Sequence, residues 1–201
     1  MSAAIATRAV TPEELPLAET AMAALGQTPL VMVRQSELRL DAMLGAAGYA
    51  VIDPVNIYAA PVSDIATRRP PRLTTFVIWE PLEIMRDIWA AGGIGPGRLA
   101  VMERATCPKT GVFGRADNRP AAAAYVGLHD GVAMLHALEV LPRHRRAGLG
   151  RHMMVEAAFW ARAQGASHIS VVCTKANRPA NALYHSLGMT LVGDYHYRIK
   201  G

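Results

Sequence analysis

An apolar run, VAMLHALEVLP at 132–142, gives way to RHRRAGLG at 143–150. Beyond it Leu149, Met153, Ala157 and Trp160 recur at helical spacing. A strand must therefore end, the chain must turn, and a helix must begin within a few residues. Arg145 and Arg146 stand at that helix start, where the backbone already carries partial positive charge. Two adjacent guanidinium groups there imply a negative partner. Gly148 and Gly150 present no side chain, so a ligand can approach the backbone N–H groups. Those groups and the helix dipole together suit a phosphate or pyrophosphate. A P-loop would continue Gly-Lys-Ser/Thr, but Arg151-His152 follow; a dinucleotide fold would place a third glycine where Met153 stands.

The flanking pattern reads as α/β. Residues 12–25 read as a helix, 28–34 as a strand, and 36–48 as a helix capped by Ser36. An extended segment follows at 49–62, where Pro54 argues for an edge or a bulge. Residues 61–72, with Arg68-Arg69-Pro70-Pro71, read as a linker. LTTFVIW at 73–79 is a strand, and 80–93 a helix with Pro81 near its first turn. GGIGPG at 92–97 reads as a flexible connection, and RLAVMERA at 98–105 as a strand. Residues 121–141 form two strands joined at Asp130-Gly131, a strong hairpin signal. Helix 147–164, strand 167–174, helix 177–188 and strand 189–200 complete the chain. An internal echo accompanies this order. Gly26 to Gly48 and Gly165 to Gly188 each enclose strand, helix and glycine, which is either a chance echo of a common order or the mark of an N-terminal third that is a degenerate copy of the C-terminal third.

Composition narrows the classes. With 201 residues, half of them apolar and 18% charged, the chain can bury a real core and is not disordered. No apolar run approaches the roughly 18 residues of a membrane helix, and the N-terminus lacks a secretory pattern. Cys107 and Cys173 lie far apart, which points to buried free thiols and a cytoplasmic location. The net charge of +5 does not mark a nucleic-acid protein, because the arginines are dispersed except at 143–151 and 68–72 and no aromatics interleave with them. No His/Cys/Asp/Glu cluster has metal-ligand spacing.

Arg-x-x-Gly-x-Gly after LEVLP resembles the acetyl-coenzyme A loop of the GCN5-related N-acetyltransferases (GNAT). NRPANALYHSLGM at 177–189 resembles that family's second signature. The resemblance covers 73–200 and implies a GNAT fold: a mixed, mostly antiparallel central sheet flanked by helices. A small α/β lobe, residues 1–66, would resemble a degenerate half-domain and precede a catalytic domain at 67–201. The resemblance further implies that the loop from Arg145 through Arg146, Ala147, Gly148, Leu149, Gly150 and Arg151 holds the coenzyme's pyrophosphate. Leu138 and Val140 would lie where their strand splays from its neighbour, with a backbone N–H, that of Val140, polarising the thioester carbonyl. Asn177 would contact the pantetheine arm, and Tyr184 would protonate the departing thiolate.

Glu139 is the first candidate for the base that deprotonates the amine; His136 and Tyr195-His196-Tyr197 are others. Bland readings stand beside these. Glu139 can be the ion-pair partner of an arginine, Tyr184 a core residue, and His136 a half-buried histidine, while Arg143 and His144 either decorate the surface or reach the adenosine phosphate. The implied reaction is direct transfer from acetyl-CoA to a primary amine of a small molecule or peptide, without metal, membrane or nucleic acid. No cysteine lies in either motif, which argues against an acyl-enzyme. A coenzyme-binding regulatory protein without transfer chemistry is the alternative, and a homodimer is left open.

Overall fold

A computed structural model describes residues 3–201. In chain order the strands are β1 (Ala4–Ile5), β2 (Leu30–Arg34), β3 (Ala50–Pro61), β4 (Thr75–Ile78), β5 (Lys109–Ala116), β6 (Arg119–His129), β7 (Val132–Val140), β8 (His168–Thr174) and β9 (Thr190–Ile199). The helices are α1 (Leu15–Ala24), α2 (Leu38–Ala46), α3 (Val62–Ile65), α4 (Glu83–Ala91), α5 (Pro96–Arg104), α6 (Leu149–Ala163) and α7 (Arg178–Ser186). Strand pairing is mixed and mostly antiparallel, as the resemblance implies.

Two compact units share the chain. One gathers residues 1–57 with 173–178 and 192–201; the other holds 58–172 and 179–191. In the first unit β2 pairs antiparallel with β9 and parallel with β1. Leu15 and Met22 of α1, Leu44 of α2, Val31, Val33 and Tyr49 form its core. The cap of α2 is Glu37 rather than Ser36; the Glu37 carboxylate accepts from the Arg34 N–H and guanidinium, closing the strand-to-helix turn.

In the second unit β4, β5, β6 and β7 form an antiparallel run, and β8 joins β7 in parallel. Two hairpin turns hold the run in register. Asp117-Asn118 and Asp130-Gly131 all have positive φ, the conformation that two-residue turns need to match strand twist. Helices pack on both faces. Gly111 gives room to Met85 of α4 on one face, and Gly114 to Met153 of α6 on the other; a Cβ at either would meet the methionine at 2.7 Å. Met85, Ile88 and Trp89 recur at i, i+3 and i+4 on α4 and are fully buried, a stripe worth about 1.5–3 kcal/mol per side chain.

Two sequence expectations fail here. RLAVMERA is the helix α5, not a strand: Pro96 occupies its first turn and presets φ, while Leu99 and Met102, one turn apart, face the α4 core. Residues 61–72, read as a linker, open with the helix α3, whose Val62 and Ile65 are buried.

Candidate active site

The hairpin β6–β7 is interrupted where the chemistry was expected. Tyr125 pairs with His136, but Ala123 pairs with Glu139, so Ala137 and Leu138 together oppose Ala124. This is a β-bulge. Ala137 adopts φ +52, a conformation that costs a non-glycine residue about 1–2 kcal/mol. The Trp89 indole offsets that cost by donating to the Ala137 carbonyl at 2.8 Å.

The bulge also decides where the next N–H groups point. Leu141 N donates to Ala121 O at 2.9 Å. Hydrogen-bonded pairs alternate along an antiparallel ladder, so Glu139, paired with Ala123 beyond the bulge, bonds to β6 while Val140 turns its N–H away from it. On that far side the parallel β7–β8 pairing runs from Val132↔His168 to Leu135↔Val171, ending three residues before Leu138.

After β7 a single 3-10 turn, Pro142–His144, leads into the glycine loop. Arg146 (φ +63) and Gly148 (φ +81) are both left-handed, which curls successive amides into a concave nest. Among the described residues, the first backbone N–H after Arg145 that donates to a backbone carbonyl outside the helix body is His152, to Gly148 O at 3.2 Å. The amides of residues 146–151 are thus open to an anion. Gly150 lies against Leu183 of α7; a Cβ there would stand 3.2 Å from Leu183 Cδ2.

The loop arginines divide their work. Arg145 folds back onto β7, its Nε donating to Val140 O at 2.8 Å and its Nη2 reaching Glu139 Oε1 at 2.9 Å. Arg151 donates to Ser186 O at 3.2 Å. His144 is buried and accepts from Arg143 Nε at 3.1 Å, so it does not decorate the surface. Thr67, Arg68, Arg69, Arg151 and His152 line a cleft of about 550 Å³ beside the start of α6. The sequence showed Arg68 and Arg69 only as a basic stretch. Arg69 also pairs with the buried Glu156 at 2.8 Å.

Glu139 shares the α4-facing side of the sheet with Ala123 and Tyr125. Gly92, at the end of α4, leaves room for it: a Cβ there would lie 2.6 Å from the Glu139 carboxyl carbon. His136 lies on this same face, before the bulge. Burial, and then the charge of Arg98, push its pKa below the ordinary histidine value.

Tyr184 is buried on α7, its ring centroid 5.6 Å from that of Tyr58. The Tyr58 hydroxyl donates to Asn181 Oδ1 at 2.9 Å and lies 3.2 Å from His185 Nε2. Asn177 sits in the first unit, in the turn after β8, its N–H on Thr174 O at 3.0 Å. His196 of the tail is held by Asp41 at 2.7 Å, also within that unit.

Comparison with known proteins settles the family. The model of the acetyltransferase (GNAT) family matches residues 82–189, more than half of the chain. The protein belongs to the GNAT family. Streptothricin acetyltransferase of Streptomyces lavendulae is 41% identical over 56 residues, 28% of this chain and 30% of that protein. The uncharacterized N-acetyltransferase YobR of Bacillus subtilis is 32% identical over 79 residues, 39% of this chain and 32% of that one. The match thus spans about a third of the length of these curated relatives. Among solved structures, a GCN5-related N-acetyltransferase from Kribbella flavida has TM-score 0.76 at 21% identity, covering 98% of this chain and 80% of its own. A tandem GNAT protein from the clavulanic acid biosynthesis pathway has TM-score 0.69 at 13% identity, covering 94% of this chain and 67% of its own. Both share the GNAT fold with this chain.

Proposed function

We propose that the protein transfers an acetyl group from acetyl-CoA to a primary amine by direct attack. The observation that carries this reading is the pairing of the Val140 amide, turned away from β6 past the end of the β7–β8 ladder, with the amides of residues 146–151, open at the start of α6. The residues present fit the coenzyme. The loop amides and Arg146 would hold its pyrophosphate. The basic cleft lined by Arg68, Arg69 and Arg151 suits its phosphorylated nucleoside end. Bound there, acetyl-CoA supplies an activated acetyl group.

The chain's own groups do the rest. The Leu138 or Val140 amide donates to the developing oxyanion. Tyr184 supplies the proton for the departing thiolate; a phenol of pKa about 10 is still protonated at neutral pH. Glu139, expected as the base, has a second task in this geometry, which is to hold Arg145 against β7. Among the described residues no group of three or more His, Cys, Asp or Glu side chains is placed to hold a metal ion, and no helix is long and apolar enough to cross a membrane. Cys107 and Cys173 are free thiols, in keeping with a cytoplasmic setting.

Residues 1–66 are proposed to be a degenerate half copy of the domain at 67–201. Supporting this, β2–α2–β3 and β8–α7–β9 share one order, and Gly26, Gly48, Gly165 and Gly188 all take φ between +67 and +84.

Calorimetric titration of the purified chain with acetyl-CoA tests the proposal, followed by coenzyme-thiol release with amines. Saturable binding and amine-dependent release support it. A folded protein that binds no acetyl-CoA overturns it.

A further inference from the structure

Building on that transferase reading, we propose that a second cleft, between α5 and the β6–β7 hairpin, holds the acceptor, and that the acceptor is a monoamine with an apolar body and a carboxylate. The cleft measures about 590 Å³, within the usual span of small-molecule sites. It lies on the face of β7 that carries His136 and Glu139, opposite to α6. Its walls are largely apolar, with Met102, Met134 and Val101 among them, and Val101 is left 56% exposed. Apolar surface kept open to water in this way favours an apolar ligand body.

Few polar groups converge on it. Arg98 enters from the first turn of α5, and among the described residues its guanidinium makes no ion pair. No carboxylate lines the cleft. A polycation such as a polyamine or an aminoglycoside would meet an unpaired positive charge and no counter-ion, whereas a carboxylate would gain a charge-assisted, bidentate partner. This separates the chain from any acceptor that depends on an acidic pocket.

His136 stands at the inner end, immediately before the bulge. The titratable groups that line the cleft with it are Arg98 from α5, Tyr125 from β6 with ring centroids 6.3 Å away, Cys107 from the segment before β5, and His129 from the hairpin end. Glu139, on the same strand and face, is engaged by Arg145. No carboxylate lines the cleft to hold an imidazolium, and burial, then the charge of Arg98, push the His136 pKa below the ordinary histidine value.

The step balances as follows. The acceptor ammonium passes one proton to His136. Its nitrogen then bonds to the acetyl carbon while the carbon–sulfur bond breaks. Sulfur leaves with the electron pair and takes the Tyr184 proton, and the proton shed by the acylated nitrogen restores Tyr184 through water. The products are the amide, the free thiol and one proton.

The test uses the full chain and coenzyme-thiol release with L-phenylalanine and L-leucine, their primary amides, spermidine and an aminoglycoside. The amino acids should exceed their amides in kcat/KM by tenfold or more, with both polycations poorer still. Arg98→Ala should erase the preference for the free acid through KM, and Arg98→Lys should restore part of it. His136→Ala should lower kcat by about 10²-fold and remove the acid limb of the wild-type profile, which lies below the ordinary histidine value. Preference for a polycation, or equal use of acid and amide, overturns the proposal. Acetyl-CoA titration of the same sample separates the two readings. Failure to bind coenzyme sinks the transferase reading itself; coenzyme binding with neither turnover nor calorimetric binding of either amino acid sinks this inference alone.

Discussion

Arg145 and Glu139 hold each other across the root of the glycine loop, Nη2 to Oε1 at 2.9 Å, while Arg145 Nε donates to Val140 O at 2.8 Å. One guanidinium thus ties the loop to Val140, the residue whose amide is proposed to polarise the thioester carbonyl. Its charge is shared between a carboxylate and any incoming phosphate. Glu139→Gln should release it and tighten acetyl-CoA binding up to about fivefold, the equivalent of ~1 kcal/mol for a partly exposed pair. Calorimetry checks this. If kcat stays within a few-fold of wild type, Glu139 is a positioning residue; a fall of about 10²-fold with loss of the acid limb would make it the base.

Gly150→Glu should abolish coenzyme binding. The new side chain would meet Leu183 Cδ2 within 3.2 Å of its Cβ and place a negative charge where the pyrophosphate is proposed to lie. A thermal melt distinguishes lost binding from lost folding. Gly150→Ala, which adds the Cβ without the charge, should weaken binding less. Equal affinity in wild type and Gly150→Glu would defeat the loop assignment.

Trp89→Phe isolates the support of the bulge. The indole is fully buried and donates to the Ala137 carbonyl. Removing the donor leaves a polar group unsatisfied, at a cost of about 1–3 kcal/mol. Denaturant unfolding should show that loss. The kcat for any accepted amine should fall as well, because the amides of Leu138 and Val140 depend on the same bulge. A stability loss with an unchanged kcat would confine Trp89 to the core.

These residues show what a sequence discloses and what it conceals. The turn through the glycine loop was legible because a strand end and a helix start fall within a few residues of each other. The splay at Leu138 and Val140 was legible only through the family resemblance. Its cause, the left-handed Ala137, carries no signature, since alanine is a poor choice for that conformation and the compensating Trp89 lies far away in sequence. The helix α5 was misread because Leu99-Ala100-Val101-Met102 is a short apolar run that fits either period, and Pro96 decides it. Arg98 and His136 were separate residues until the fold brought α5 over β7.

Tyr184→Phe should leave acetyl-CoA affinity nearly intact and cut turnover by about 10²-fold or more, the worth of a positioned acid. Its ring is buried beside Tyr58, so the phenylalanine ring preserves the packing. Pre-steady-state thiol release would show the loss in the chemical step. A wild-type rate would return Tyr184 to the role of a core residue.

Acid stability should report on Asp41. Its Oδ1 accepts from Arg198 Nε and from His196 Nε2, each at 2.7 Å, and the Arg198 hydrogen bond, followed by that of His196, holds its pKa below the usual carboxylate value despite partial burial. A carboxylate whose folded value is depressed contributes stability that is fully present above its unfolded value, about 3.9, and is lost as pH falls through the folded value. Melting temperature should therefore drop steeply below about pH 4. Asp41→Asn should lower it at neutral pH and flatten that slope. Some slope should remain, because Glu19 is also depressed by Lys200 and Tyr49, and Glu14, held near 2 chiefly by its hydrogen bond from Arg8, titrates in the same window. An identical slope in wild type and variant would remove Asp41 from the account of acid unfolding.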